Sequence, residues 1–465
     1  MPVVSGSAVE AFPDEAPDPR IAAGLQLTAH VARSHTRDFV RRPLTSVGNL
    51  IAATLTGVTG IVKELALDFV LVPRLAAKPL RPLSSSPGMD LDEWERDLDV
   101  ITGTERIRGT AALLVDGEAF FSRLIAEIAS ARESIEIRTY IFDNDDFAVA
   151  IADLLRWRSR EIRVTVMADG LGTIGGTLAT ADSQPADYVV PASMRTYLEE
   201  GSGVRLQILG NTWFMGDHTK TYIFDQRVAF LGGMNIGREY RYDWHDIMVE
   251  LTGPVVDELA SAGEQAARED RLGDLALLSP RARRARPADA TRGAQLRLLR
   301  TRPHDAQIYR AQLEAIRRAQ RHIFVQNAYL GDDTVIYELA KARRRGVDVR
   351  VILPARPDSE LVRRSNALAI NTLRRFGVRV YLYPGMSHVK AAIYDGWACF
   401  GTANFDRLSL RINKEVNVAT SDPGIVESLR AKVFEVDFAR SREVVDDEPT
   451  AASDHVYERI VDILL

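Results

Sequence analysis

Residues 322–353 read HIFVQNAYLGDDTVIYELAKARRRGVDVRVIL, and three elements succeed one another within them. The β-branched and aromatic run from His322 to Tyr329 predicts a strand. Thr334 to Arg345 then puts Val335, Ile336, Leu339 and Ala340 on one side of an amphipathic helix. Gly346 stops that helix, and Val347 to Leu353 alternates as a second strand. A strand–helix–strand unit implies a right-handed crossover between parallel strands, hence an α/β fold. The same succession stands upstream, with strands at Ser134–Phe142 and Ile162–Met167 around a helix at Phe147–Arg158. The chain is therefore expected to hold two duplicated α/β/α lobes with largely parallel sheets.

Outward from these units, the 465 residues suit more than one folding unit. Residues 1–100 read as a helical and irregular leader, punctuated by Pro73, Pro79, Pro82, Pro87 and the serines 84–86. Residues 101–278 form the first lobe, 279–295 an Arg- and Pro-rich linker, and 296–465 the second lobe. Leu44 to Val62 carries no charge and follows Arg33, Arg37, Arg41 and Arg42. Thr, Gly and Asn dilute it, so a buried or interfacial helix is expected ahead of a membrane span. The arginines suit anionic headgroups, which points to peripheral attachment at the inner face of the cell membrane. A net charge of −5 gives no general attraction to nucleic acid. The lone Cys399 rules out an intrachain disulfide, fits a reducing cytoplasm, and lies in an apolar run where a buried, inert thiol is expected. Nothing in the sequence specifies an oligomeric state.

Each lobe carries the same constellation. The first has His218-Thr219-Lys220, Asp225 and Gly232-Gly233-Met234-Asn235; the second has His388-Val389-Lys390, Asp395 and Gly401-Thr402-Ala403-Asn404. In both, Lys follows His by two residues and Asp follows it by seven (225−218 and 395−388). On an extended chain, positions i and i+2 share a face, so His and Lys stand side by side. Gly233 and Thr402 open the backbone to close approach by a ligand, and Asn235 and Asn404 add amides, so these residues and both lysines are candidates to bind phosphate. Asp225 and Asp395 are read as structural parts of the motif. Brought together, the halves offer two imidazoles and two cations around one phosphate. One imidazole can attack phosphorus while the other protonates the departing alcohol. Each imidazole also needs an acid on its other nitrogen. Asp246 and Glu415, 28 and 27 residues beyond their histidines (246−218 and 415−388), are assigned that role, each in its own half. A lysine beside each histidine would repel a bound cation, so no metal is expected.

These paired motifs resemble those of the phospholipase D superfamily. The flanks Gly232–Ile236, Glu239-Tyr240, Trp244-His245-Asp246, Leu251–Pro254, Arg344–Val349, Asn404-Phe405-Asp406, Ser409-Leu410 and Asn413-Lys414-Glu415 are similar to its bacterial cardiolipin synthase branch. The resemblance covers about residues 110–440. It implies lobes packed around one shared central site, and transfer of a phosphatidyl group through a histidine adduct with no cofactor. His218 would be the nucleophile and His388 the general acid. The implied substrates are phosphatidylglycerol or a related lipid, with an alcohol or water as acceptor. A hydrolytic phospholipase D is the alternative, and a metal-independent nuclease the second alternative. The second hairpin is one residue shorter than the first, with five residues between Asp395 and Gly401 against six between Asp225 and Gly232.

Overall fold

The computed structural model describes residues 19–51, 54, 71–176, 180–191, 193–212, 215–278 and 293–451. Most of the expected 279–295 linker, and the uncharged leader segment beyond residue 51 apart from residue 54, lie outside the described residues. Among the described residues, no helix is long and apolar enough to cross a membrane.

The first lobe contributes strands β1 (Ile107–Val115), β2 (Ser134–Thr139), β3 (Arg163–Asp169), β4 (Arg205–Leu209), β5 (Thr221–Phe224), β6 (Val228–Gly232) and β7 (Ile247–Thr252). The second contributes β8 (Ala294–Arg302), β9 (Asp305–Ala306), β10 (His322–Asn327), β11 (Asp348–Pro354), β12 (Arg379–Tyr383), β13 (Lys390–Tyr394), β14 (Trp397–Gly401), β15 (Glu415–Thr420) and β16 (Arg442–Glu443). They join in the order β16-β12-β11-β10-β13-β14-β15-β8-β1-β7-β6-β5-β2-β3-β4. Read outward from the β8–β1 seam, both halves have the same strand order. The duplication inferred from sequence is therefore present in seven strands of each lobe, with β9 and β16 additional in the second.

The α/β class holds, but the sheet is mixed rather than largely parallel. Each lobe has two parallel pairings, β2·β3 and β3·β4 in the first and β10·β11 and β11·β12 in the second. Four antiparallel pairings accompany them in the first lobe and six in the second, where β12·β16 and β8·β9 are added. Crossover helices make the parallel pairs, whereas the motif strands β5 and β13 turn straight into β6 and β14. Asp225, Gln226 and Asp395 hold φ of 51°, 52° and 52° at those turns, the left-handed conformation that tight hairpins use.

Local signals explain the element ends. The helix Asp333–Arg345 starts at Asp332, whose Oδ1 accepts from Val335 N at 3.0 Å, and stops at Gly346 with φ 104°. The strand β2 ends three residues before the expected Phe142, because Asn235 Oδ1 captures Tyr140 N and Ile141 N, each at 3.1 Å. In the second half, Asn327 Oδ1 ends β10 by taking Tyr329 N at 3.2 Å.

Among the described residues, three large apolar cores and a small cluster of Leu75, Ala340 and Phe376 hold the assembly. Phe120, Leu124, Ile137 and Val166 centre the first lobe; Leu339, Val349, Val380 and Trp397 centre the second. A third core spans the seam, where Leu231 and Val249 pack with Leu298, Ile393, Phe400 and Val418. Full burial of one such side chain stabilises by about 1.5–3 kcal/mol, so separating the lobes would be costly.

The leader divides differently from expectation. The helix Pro19–Arg41 and the residues after it lie on the lobes, with His30 Nε2 2.8 Å from Asn211 Oδ1 and Leu44 N donating to Asp274 Oδ2 at 2.7 Å. The helix Leu91–Thr102, placed in the leader by its position in sequence, belongs instead to the second lobe. Trp94 meets Trp397 edge-on at 5.2 Å, and Arg297 Nη2 donates to Asp99 Oδ1 at 2.6 Å. Cys399 is buried, and burial pushes its thiol up to about 12, as expected of an inert group.

Candidate active site

Each motif histidine sits just ahead of its strand, and each lysine folds back on it. Lys220 Nζ donates to His218 O at 2.9 Å and Lys390 Nζ to His388 O at 2.6 Å. Histidine and lysine thus stand together in each half, although His218 and Lys220 precede β5 and only Lys390 of the second pair lies on its strand.

The acids arrive from the opposite lobes. Glu415 Oε1 lies 2.8 Å from His218 Nδ1, and Asp246 Oδ2 lies 2.7 Å from His388 Nδ1. The orienting role assigned to Asp246 and Glu415 fits this geometry, but the same-half pairing does not. The cause is a pair of reciprocal parallel bridges, Asp217 with Lys414 and Ser387 with His245. Lys414 N donates to Gly216 O at 3.0 Å, and His388 N to His245 O at 2.7 Å. One residue beyond each bridge, a histidine of one lobe faces an acid of the other.

The electrostatics describe one site. Burial draws His218 well below its usual range, and Lys220 and Lys390 both add to the effect. His388 is lowered by burial, then by Lys390, Lys220 and His218. Burial also brings Lys220 down to about 7 and Lys390 to about 8, opposed in each case by both Glu415 and Asp246. The same burial raises Asp246 to about 7 and Glu415 to about 8. Both lysines act on both histidines, as required if the halves close on a single phosphate. Each ring meets its acid through Nδ1, which leaves Nε2 as the nitrogen on the far side of the ring from the carboxylate.

The remaining candidates support this core. Asp225 accepts the backbone N–H groups of Arg132, Glu133 and Ser134, with the shortest bond 2.7 Å; Asp395 accepts those of Met89, Gln320, Arg321 and His322 at 2.8–2.9 Å. Both stitch a hairpin to the start of a parallel strand, the structural part assigned to them. Gly233 and Thr402 serve the acids rather than lying open to a ligand. A Cβ at 233 would stand 2.3 Å from Asp246 Oδ2, whereas Thr402 Oγ1 donates to Glu415 Oε2. Asn235 is likewise engaged by the framework, since its Oδ1 takes three donors and its Nδ2 donates to Tyr240 OH at 2.8 Å. Asn404 differs, with a buried Oδ1 that has no hydrogen-bond partner among the described residues.

Several neighbours carry no spacing signal in the sequence. Asp169, at the end of β3, is fully buried and accepts from Asp217 N and Asn211 Nδ2, both at 2.7 Å, and from Gly172 N at 2.9 Å. That last bond seats the Gly-rich stretch in a short helix, Gly170–Gly176, where a flexible loop would be expected. Tyr140 stands edge-on to His218 at 4.8 Å, and Trp244 lies 5.3 Å from His388. Tyr329 OH donates to Asp358 Oδ2 at 2.5 Å, and Asp358 helps keep Lys390 charged. These residues are far apart in sequence, and only the fold collects them. Outside the two motifs, Asp143, Asp145 and Glu239 form a buried acidic group. Asp145 there caps the helix Asp146–Arg158, taking Ala148 N at 2.6 Å.

Comparison with known proteins agrees. A family model described as cardiolipin synthase, PLD-like domain, matches residues 124–268 and 313–437. Cardiolipin synthase A of Pseudomonas putida F1 is 30% identical over 356 residues, covering 72% of this chain and 70% of its own. Cardiolipin synthase A of Pseudomonas fluorescens SBW25 is 31% identical over 358 residues, with the same coverage. Among solved structures, phosphatidylserine synthase of Haemophilus influenzae Rd KW20 superposes with a TM-score of 0.59 at 12% identity, covering 79% of this chain and 95% of that one, a likeness of fold. On the extent of these matches, the chain belongs to the cardiolipin synthase family of phospholipase D-like proteins.

Proposed function

We propose that the chain is a phosphatidyltransferase that joins the phosphatidyl group of one phospholipid to an alcohol acceptor, with phosphatidylglycerol or a related lipid as substrate. The observation that carries this reading is the reciprocal exchange of acids between lobes, which fixes His218 and His388 in one site beside two buried lysines.

His218 Nε2 attacks phosphorus, and the bond from phosphorus to the headgroup oxygen breaks. The departing oxygen takes a proton from His388 Nε2, which the ring holds once the charge of the bound phosphate and Asp246 offset the burial and lysines that lower it. Glu415 holds the Nδ1 proton of His218 and stabilises the positive charge that the ring gains in the adduct. The acceptor hydroxyl then returns a proton to His388, attacks phosphorus and releases His218. Lys220 and Lys390 neutralise the non-bridging oxygens throughout, and a phosphate between them in turn favours their charged forms.

The leader supports a membrane surface as the working place. Val40, Leu44, Val47 and Ile51 are exposed along one short stretch, close to Arg33 and Arg41. Such an apolar strip with flanking cations suits the headgroup boundary of a bilayer, peripherally attached.

Purified protein given phosphatidylglycerol vesicles should yield cardiolipin and glycerol, with turnover unchanged by EDTA, and His218→Ala should form no radiolabelled adduct. Phosphatidic acid as the sole product would mark hydrolysis instead. No lipid turnover together with metal-free cleavage of DNA would overturn the reading in favour of a nuclease.

A further inference from the structure

His245 has no counterpart in the motif pattern, yet it is buried at the lobe junction with both ring nitrogens engaged. Nδ1 lies 2.6 Å from Asp116 Oδ1, at the start of the first-lobe helix Asp116–Ser130. Nε2 lies 2.7 Å from Asp437 Oδ2, on the second-lobe helix Glu435–Arg440. A neutral imidazole has one N–H and would turn a lone pair toward one of these carboxylates, so the arrangement calls for the imidazolium. Burial opposes that charge, but the two carboxylates outweigh it and raise the ring to about 9. Tyr383, bonded to Arg440, stacks on the ring at 4.6 Å and 15°. Gln326 Nε2 completes the cluster, donating to Asp437 Oδ2 at 2.8 Å and reaching Ser387 Oγ at 2.9 Å.

The backbone of the same residue holds the motif of the other lobe. His245 N donates to Met386 O at 3.1 Å, and His388 N donates to His245 O at 2.7 Å, so the two bonds straddle Ser387. The next residue, Asp246, meets His388 Nδ1, and its own carbonyl accepts Asp116 N at 2.8 Å. The positive ring also favours the ionised form of Asp246. In the sister half the corresponding position is Lys414, whose side chain is 37% exposed and whose Nζ stands 4.0 Å from Asp217. An imidazolium clamp between two carboxylates of opposite lobes thus serves the His388 half alone.

We infer that His245 is a positioning residue for the reaction: by gripping both lobes through its ring, it fixes the backbone that seats His388 and aims Asp246 at it. This inference rests on the proposed role of His388 in moving protons. Displacements of about 1 Å at a reacting group cost on the order of a hundredfold in rate, so a loosened clamp should act on turnover rather than on binding.

The test uses the full chain with His245→Gln, which keeps a donor toward Asp437, and His245→Asn, which keeps one toward Asp116. With phosphatidylglycerol vesicles, kcat should fall by about tenfold or more in both, with KM nearly unchanged. Formation and breakdown of the His218 adduct should slow together, because both pass a proton through His388. Lys414→Gln, the exposed sister position, should leave kcat within about twofold. Folded His245 variants with wild-type kcat, or a kcat loss that only tracks the unfolded fraction, would overturn the inference. If the wild type transfers no phosphatidyl group, the functional reading fails, and the clamp is read from stability instead. A ring raised from 6.5 to about 9 stabilises fully below pH 6.5 and loses that contribution as pH rises through 9. The wild-type Tm should therefore drop across that window more than that of His245→Gln; equal drops would show that no clamp exists.

Discussion

At the scale of single residues, the site is a set of buried charges that hold one another in working states. Of the two motif histidines, Glu415 is bonded to His218 and Asp246 to His388. Glu415→Gln should therefore slow formation of the His218 adduct by about ten-thousandfold, as loss of an orienting acid does in hydrolytic triads, while leaving KM close to wild type; single-turnover trapping reads this. Combined with His218→Ala, the Glu415 change should add almost nothing, whereas Asp246→Asn should slow headgroup release. The lysines set the alkaline side of the pH profile. Their charge is present well below pH 7 and is lost as pH rises through about 7 for Lys220 and about 8 for Lys390. The plot of kcat/KM should fall in that range, and that of kcat at higher pH, since bound phosphate keeps both lysines protonated. The histidines and lysines were legible because a spacing of two along an extended chain has a geometric meaning, and the acids because they recur at matched distances, 28 and 27 residues beyond their histidines (246−218 and 415−388). Which acid serves which histidine was not legible, because a separation of 27 or 28 residues carries no information about the lobe faced.

At the scale of elements, the aspartates of the motif act on the sheet. Asp225→Ala and Asp395→Ala each strip three or four backbone donors of their acceptor. Each should lower unfolding free energy by about 1–3 kcal/mol in a denaturant titration, with specific activity of the folded fraction retained. Gly233→Ala should do the reverse. The new methyl would meet Asp246 Oδ2 at 2.3 Å, so activity should fall by more than stability explains, while Thr402→Ser should be tolerated because the hydroxyl on Glu415 remains. The strand–helix–strand units were legible from the change of hydrophobic period around Gly346. The antiparallel strands were not, since a period of two marks a strand without naming its neighbour. The end of β2 depended on Asn235, 96 residues away from Thr139.

For the whole molecule, the seam decides behaviour. The strands β1 and β8 pair antiparallel across the lobe boundary, and the core beside them draws side chains from both lobes. Residues 296–465 expressed alone would bare that core and lose the helix Leu91–Thr102, so this fragment should aggregate; co-expression with residues 1–295 should restore solubility and turnover together, measured by gel filtration and lipid assay. The duplication was legible from the repeated motifs. The assignment of residues 91–102 to the second lobe was not, because Trp94 and Trp397 lie 303 positions apart (397−94) and meet only in the fold.

The crossing of the acids has one more consequence. Because each imidazole borrows its carboxylate from the facing lobe, a slide of one lobe along the other that parts His218 from Glu415 also parts His388 from Asp246. Competence therefore switches as a unit with lobe registration, and a weakly joined molecule would be silent rather than error-prone.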